Sequence, residues 1–134
     1  MATPVLCRLP KGADLLEALN ALCKDQNITR GTVQLIGAVE RATLSFYRQD
    51  EQKYYDHALP EPLEILSGLG NVSLKDGQPF VHLHLILGRE SGECLGGHAM
   101  PGCIIFACEA CITPLEGAPL VRELDSPTGL PLWK

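Results

Sequence analysis

The sequence predicts an α+β fold in which one main helix packs on a largely antiparallel β-sheet. One segment near the N-terminus carries apolar residues at helical spacing, and most of the later chain consists of short segments rich in β-branched and apolar residues, separated by turns. Parallel strands need a crossover connection, usually a helix, and the sequence offers no second convincing helix. We therefore expect antiparallel pairing.

The expected helix lies in the N-terminal part of the chain, after a short strand at residues 3–9. Asp14 and Glu17 lie near its start, where the positive end of the helix dipole favours a negative charge. The leucines of residues 12–26 recur at spacings of three and four, which places them on one helical face: Leu15, Leu16, Leu19 and Leu22. These features predict one amphipathic helix.

Strands are expected along the rest of the chain. Gly37-Ala38 predicts a break between the expected strands at 29–36 and 42–47. Asp76-Gly77 is a strong hairpin-turn signal. The glycine-rich stretch 88–97 is interpreted as a connection, and the end of the chain as an irregular tail. The expected strands cover residues 29–36, 42–47, 54–57, 63–69, 71–74, 80–87, 103–112 and 120–124.

Composition limits the range of functions. The chain has 134 residues, which fits a single domain at residues 1–134. Its composition, with 46% hydrophobic and 20% charged residues, is typical of a globular protein with a hydrophobic core. The formal charge of -5 is opposite in sign to a surface that neutralises phosphates, which disfavours DNA as a partner. Because no signal-like or membrane-spanning apolar run is found, we expect a cytoplasmic protein without membrane contact.

Six cysteines are spread along the chain, and without an export signal they are expected to be reduced thiols. Cys108 and Cys111 form a Cys-x-x-Cys motif, which in other proteins marks half of a zinc site or a redox pair. The sequence has no second such motif, and this one lies inside an apolar run that predicts a strand. We favour buried cysteines that act as small hydrophobic side chains.

The sharpest chemical feature is a His-x-His pair. On a strand, residues i and i+2 point to the same face, so His82 and His84 would present two imidazoles side by side. His98 follows Gly96-Gly97, whose backbone freedom would let the chain approach the strand and close a three-histidine site. Three imidazoles with an open fourth position suit Zn2+, and Fe or Ni would also accept these ligands.

Two other interpretations of these histidines stay open. In the first, His82 and His84 simply alternate outward from a half-buried strand and bind no metal. In the second, Gly77, the His-x-His pair and Glu90 form a cupin-like series, although each spacing is one residue off the usual pattern. The cupin interpretation is the minor alternative.

Glu64 is a candidate catalytic residue because its carboxylate interrupts an otherwise apolar strand. It could bind a metal, orient an imidazole, or act as a general base on a metal-bound water. A plain solvent-facing position is an equally good interpretation of the same alternation.

Segments over nearly the whole chain carry a family resemblance: GAVERATL at 37–44, EPLEILSG at 61–68, GNVSL at 70–74, DGQPFVHLH at 76–84, GGH at 96–98 and DSPTGL at 125–130. In these segments the chain resembles the PPC (plants and prokaryotes conserved) domain in its stand-alone prokaryotic form. The resemblance implies an α+β fold with an antiparallel sheet, a homotrimer, and a zinc or related metal at the matching positions His82, His84 and His98.

The resemblance also raises DNA binding, because prokaryotic members are often labelled by analogy with plant proteins that join this domain to an AT-hook. The Arg-Gly-Arg-Pro core of that hook and a basic segment before the domain are missing from this sequence. Our leading hypothesis is therefore a metal-binding homotrimer that serves as a regulatory or binding module. DNA is a disfavoured partner, and a small-molecule ligand is a separate candidate partner. The alternative is a metal-dependent enzyme that uses the open metal position and Glu64 as base.

Overall fold

We describe the fold from a computed structural model, in which residues 2–134 are placed. One helix and nine strands follow one another along this part of the chain: β1 (Val5–Leu9), α1 (Leu15–Asp25), β2 (Gly31–Arg48), β3 (Lys53–Leu59), β4 (Leu63–Lys75), β5 (Gln78–Gly88), β6 (Cys94–Ala99), β7 (Ile104–Pro114), β8 (Glu123–Asp125) and β9 (Leu130–Leu132).

The main sheet has seven strands in the order β1-β7-β2-β4-β5-β6, with β3 paired to β2. Every pairing between these strands is antiparallel. Strand β6 pairs with β5 on one side and with the later part of β2 on the other, so β2, β4, β5 and β6 close into a ring. The predicted fold, one helix with a largely antiparallel sheet, is confirmed.

Helix α1 starts one residue after Asp14, later than predicted. The Asp14 carboxylate accepts a hydrogen bond from the Glu17 amide at 3.1 Å, so it caps the helix instead of lying inside it. The buried face of the helix consists of Leu15, Leu19 and Cys23, and it packs against β5. These side chains join the core beneath the sheet.

Three predictions of strand position are wrong. Strand β2 runs without a break through Gly37, where the register shifts as a bulge and a Cβ atom would overlap the carbonyl oxygen of Ala107 on β7. The glycine is therefore needed for close strand packing, not for a turn. The stretch 88–97 is not only a connection, because strand β6 begins at Cys94; the tail predicted to be irregular also contains β9.

The cysteines follow the expectation only in part, because Cys111 of the Cys-x-x-Cys motif is half-buried and not buried. All six cysteines, each within the placed part of the chain, are free. Cys108 of the Cys-x-x-Cys motif is buried on β7, and burial raises the pKa of its thiol to about 11. This thiol stays protonated at neutral pH and is a poor nucleophile or metal ligand. Among residues 2–134, no helix has the length and apolar character needed to span a membrane.

Candidate metal centre

Three histidines meet where β5 and β6 pair. His82 and His84 project from one face of β5, while Leu83 between them is fully buried on the other face. His98 on β6 lies directly opposite His84 in the antiparallel register. The structure therefore brings together the three residues that the sequence singled out as metal ligands.

The three rings have the spacing of a ligand set. Nε2 of His82 lies 3.1 Å from Nε2 of His84, and one nitrogen from each ring falls within 4.8 Å of the others. A tetrahedral zinc ion with bonds of about 2.0–2.1 Å keeps its ligand nitrogens roughly 3.3 Å apart. The His82–His84 pair is already close to that separation, and a ring nitrogen of His98 lies within 4.8 Å of both.

Burial keeps two of the three imidazoles, those of His82 and His98, in the form that binds metals. Burial, together with the smaller effects of His98, His84 and Arg122, lowers the pKa of His82 to about 4. Burial also lowers the pKa of His98, with His84 and Arg122 as further causes. At neutral pH both rings are therefore uncharged, and each has a nitrogen lone pair to donate.

The surroundings of His98 also fit coordination. Its ring stacks on Tyr54, with centroids 4.9 Å apart and planes at 29°. Its Nδ1 is buried and has no hydrogen-bond partner within residues 2–134. An unsatisfied buried nitrogen costs free energy, and coordination of a metal by this ring would offset that cost.

Glycines set the strand spacing around the centre. A Cβ atom on Gly97 would come within 3.2 Å of the Leu44 side chain and the Ser45 carbonyl oxygen, and one on Gly70 would overlap the carbonyl oxygen of His82. Gly97 acts as the sequence predicts, since it lets β6 approach its neighbours. The packing role of Gly70 was not recognised from the sequence.

The structure does not bring Glu64 to the histidines. Glu64 pairs with Gly88, four residues beyond His84 along β5, which is about 14 Å at roughly 3.4 Å per residue. Its side chain is exposed and lines a separate cavity together with Glu61, Arg89 and Glu90. The members of the cupin-like series are also apart, because Glu90 lines this second cavity and the histidines do not.

A cavity of about 400 Å³ opens beside His82 and His98. Most of its walls are apolar side chains from α1, β5, β6 and β9, and it also contains Arg122. The Arg122 guanidinium donates to Asn71 Oδ1 at 2.9 Å, and Asn71 lies directly opposite His82. Neither residue was singled out from the sequence, where the only signal is one arginine inside the apolar segment 120–124.

A sequence profile of the Plants and Prokaryotes Conserved (PCC) domain, the family also abbreviated PPC, matches residues 1–116. The chain belongs to this family. A PPC protein from Pyrococcus horikoshii of known crystal structure is 34% identical, with a TM-score of 0.94 over 99% of this chain and 92% of that one.

Two further PPC-like structures are similar. A metal-containing protein from Archaeoglobus fulgidus is 41% identical, with a TM-score of 0.95 over 99% of this chain and 94% of its own. A protein from Bacteroides thetaiotaomicron, whose name proposes DNA binding, is 27% identical, with a TM-score of 0.91 over 100% of this chain and 93% of its own.

PPC-like sequence also occurs within larger proteins. A Bifunctional protein GlmU from a Synechococcus strain is 39% identical over 124 residues, which are 91% of this chain. The chain spans only 18% of the length of that relative and 15% of a second GlmU.

Proposed function

We propose that this protein binds one divalent metal ion through His82, His84 and His98, with zinc as the first choice and iron or nickel as alternatives. The observation that carries the proposal is the closeness of three donor nitrogens, all within 4.8 Å of one another. Three neutral imidazoles are suitable ligands for each of these metals. The relative from Archaeoglobus fulgidus, described as metal-containing, supports the same conclusion.

We assign this centre to a regulatory or binding module in preference to an enzyme. A bound zinc ion would supply a Lewis-acidic position open to water or to a ligand. Hydrolysis at such a position needs a general base within hydrogen-bond reach. No carboxylate of residues 2–134 joins the histidine cluster, and Glu64 faces a different cavity.

We further propose that the protein is a homotrimer and that it uses the exposed apolar face of its sheet for assembly. Leu6, Ile36, Leu66 and Leu69 lie around one shallow cavity on this face, and all four are more than half exposed, at 79%, 57%, 52% and 57%. An apolar patch of this kind is typical of a protein interface. Leu69 lies directly opposite His84, so this apolar face borders the metal centre.

DNA binding is the weaker candidate. The name of the Bacteroides relative proposes it. The net charge of -5 opposes the phosphate contacts that supply most non-specific affinity, and the sequence holds no AT-hook core. We therefore expect this chain to act without DNA.

Metal content tests the proposed function directly. The protein should be produced without a polyhistidine tag, and its metal should be measured by mass spectrometry after gel filtration. We expect about one zinc ion per chain, falling below a tenth in His84→Ala. His57→Ala is the matched control, because His57 is exposed on β3 and lies outside the cluster. The proposal fails if the wild type carries no metal after zinc is supplied, or if both variants retain it.

A further inference from the structure

The side chain of Arg122 is a buried cation without a carboxylate partner. Arg122 is only 8% exposed, and its three hydrogen bonds within residues 2–134 go to neutral oxygens: Ser73 Oγ at 2.7 Å, Pro131 O at 2.9 Å and Asn71 Oδ1 at 2.9 Å. No ion pair joins it to an acidic side chain of residues 2–134. Buried charges are normally paired, so this one calls for an explanation.

The guanidinium is held rigidly but is not saturated. Its plane lies against two aromatic rings, with its carbon 4.5 Å from the Trp133 centroid and 5.3 Å from the Phe80 centroid. An arginine has five N–H donors, and the bonds to Ser73, Pro131 and Asn71 use three of them. Two N–H groups, one on each terminal nitrogen, are left to bind a ligand.

The same guanidinium lines the cavity of about 400 Å³ next to His82 and His98. This volume is within the range of small-molecule sites, and mainly apolar walls with a few polar groups are typical of them. The walls favour a ligand with a carbon skeleton, and the unpaired cation favours a negative charge at one end.

The other charged side chains limit the charge that the ligand can carry. Asp14 and Glu17 line the cavity from the helix side, and Lys75 lines it from the end of β4. With Arg122 the lining holds two acidic and two basic groups, so its formal charge is zero. A doubly charged phosphate would face both carboxylates, whereas a single carboxylate could pair with Arg122 alone.

We propose that this cavity binds a small organic monocarboxylate, with its carboxylate on Arg122 and its apolar body between α1 and β9. The charge and donors that recognise the ligand belong to the chain itself. The site therefore does not depend on the metal, although a bound carboxylate would lie beside the histidines.

Benzoate is a suitable probe because it joins one carboxylate to a flat apolar ring, and benzamide is its uncharged match. Both should be titrated by calorimetry into the full-length protein, once with zinc and once after removal of metal with a chelator. We expect benzoate to bind both forms about tenfold or more tightly than benzamide, since hydrogen bonds to charged groups are the stronger ones.

Arg122→Gln should lower benzoate affinity about tenfold and leave benzamide unchanged. Arg89→Gln is the control, because Arg89 is paired with Glu61 and Glu93 at the other cavity. If Arg122→Gln fails to fold, Leu16→Phe tests the site instead by narrowing the cavity while keeping the cation; it should weaken both probes.

Equal binding of benzoate and benzamide would overturn the proposal, and so would displacement of benzoate by equimolar inorganic phosphate. Zinc binding without benzoate binding would overturn the carboxylate site and leave the metal centre standing. Benzoate binding that depends on Arg122 in a protein that takes up no zinc would support the carboxylate site and overturn the metal centre.

Discussion

His84 and His98 lie directly opposite each other in the pairing of β5 and β6, with ring centroids 5.5 Å apart. They are 14 residues apart in the sequence, and the short hairpin between them brings them together. His82 adds the third ring from the same strand face as His84. The three-histidine centre therefore depends on the pairing of β5 with β6.

Metal binding should stabilise the fold. A ligand present at 100 times its dissociation constant adds about 2.7 kcal/mol to the free energy of unfolding when it binds only the folded state. We expect zinc at that excess to stabilise the wild type by about this amount, measured by chemical denaturation with and without zinc. His84→Ala should lose the increment and His57→Ala should keep it. If zinc stabilised the wild type and both variants equally, the metal site could not be at the histidine cluster.

The stability of the metal-free protein should fall in mild acid. The pKa of His82 drops from an ordinary value of 6.5 to about 4 in the folded state, and that of His98 is also lowered. Between these values the unfolded chain binds protons that the folded chain does not, so the free energy of unfolding falls as the pH falls from about 6.5 to about 4. Urea unfolding at a series of pH values measures this slope.

The matched variants make the pH test specific. His82→Gln should flatten the slope, because it removes one of the groups that titrates only on unfolding. His57→Gln is the matched control, because His57 is exposed on β3 and lies outside the histidine cluster. A His82→Gln slope equal to that of the wild type would show that acid destabilisation arises elsewhere.

Gly70→Ala should damage the β4–β5 pairing that supports the centre. The added Cβ would overlap the carbonyl oxygen of His82, which is backbone and cannot rotate away. We expect a loss of about 1–3 kcal/mol of stability together with weaker zinc binding. Gly96→Ala is a milder comparison, because its Cβ would lie 3.2 Å from the Leu85 carbonyl oxygen. A smaller effect from Gly70→Ala than from Gly96→Ala would refute this ranking.

Assembly should depend on the exposed apolar face. Leu69→Asp places a charge in that face, and we expect it to convert a trimer into monomers, as measured by light scattering coupled to gel filtration. Leu124→Asp is the control, because Leu124 is 74% exposed on β8 and lies outside the cavity around Leu69. A monomeric wild type would exclude the trimer, and a trimeric Leu69→Asp would place the interface on another surface.

DNA should not bind. At low salt, where phosphate contacts are strongest, a mobility-shift assay with a 30-base-pair A·T-rich duplex is expected to show no complex at micromolar protein, because the chain carries a net charge of -5. A complex that weakens steeply as salt is raised would reverse this conclusion.

Much of the fold could be predicted from the sequence because local patterns determine it. Leucine spacing located α1, and Asp76-Gly77 located the turn between β4 and β5. The clearest error fell on a glycine. Gly37 suggested a break in the chain, whereas it sits inside a continuous strand because β7 approaches too closely for a side chain there. Sequence alone does not distinguish a glycine needed for a turn from one needed for close packing.

The candidate site, like the fold, could be predicted only in part from the sequence. The sequence by itself placed His82 and His84 on one face of a strand, because side chains alternate with a period of two. Only the tertiary structure set His98 against His84, left Glu64 about 14 Å from His84 along the sheet and brought Arg122 from the C-terminal segment to the cavity. Those outcomes depend on strand register and on the packing of distant segments, which are long-range properties that local periodicity does not determine.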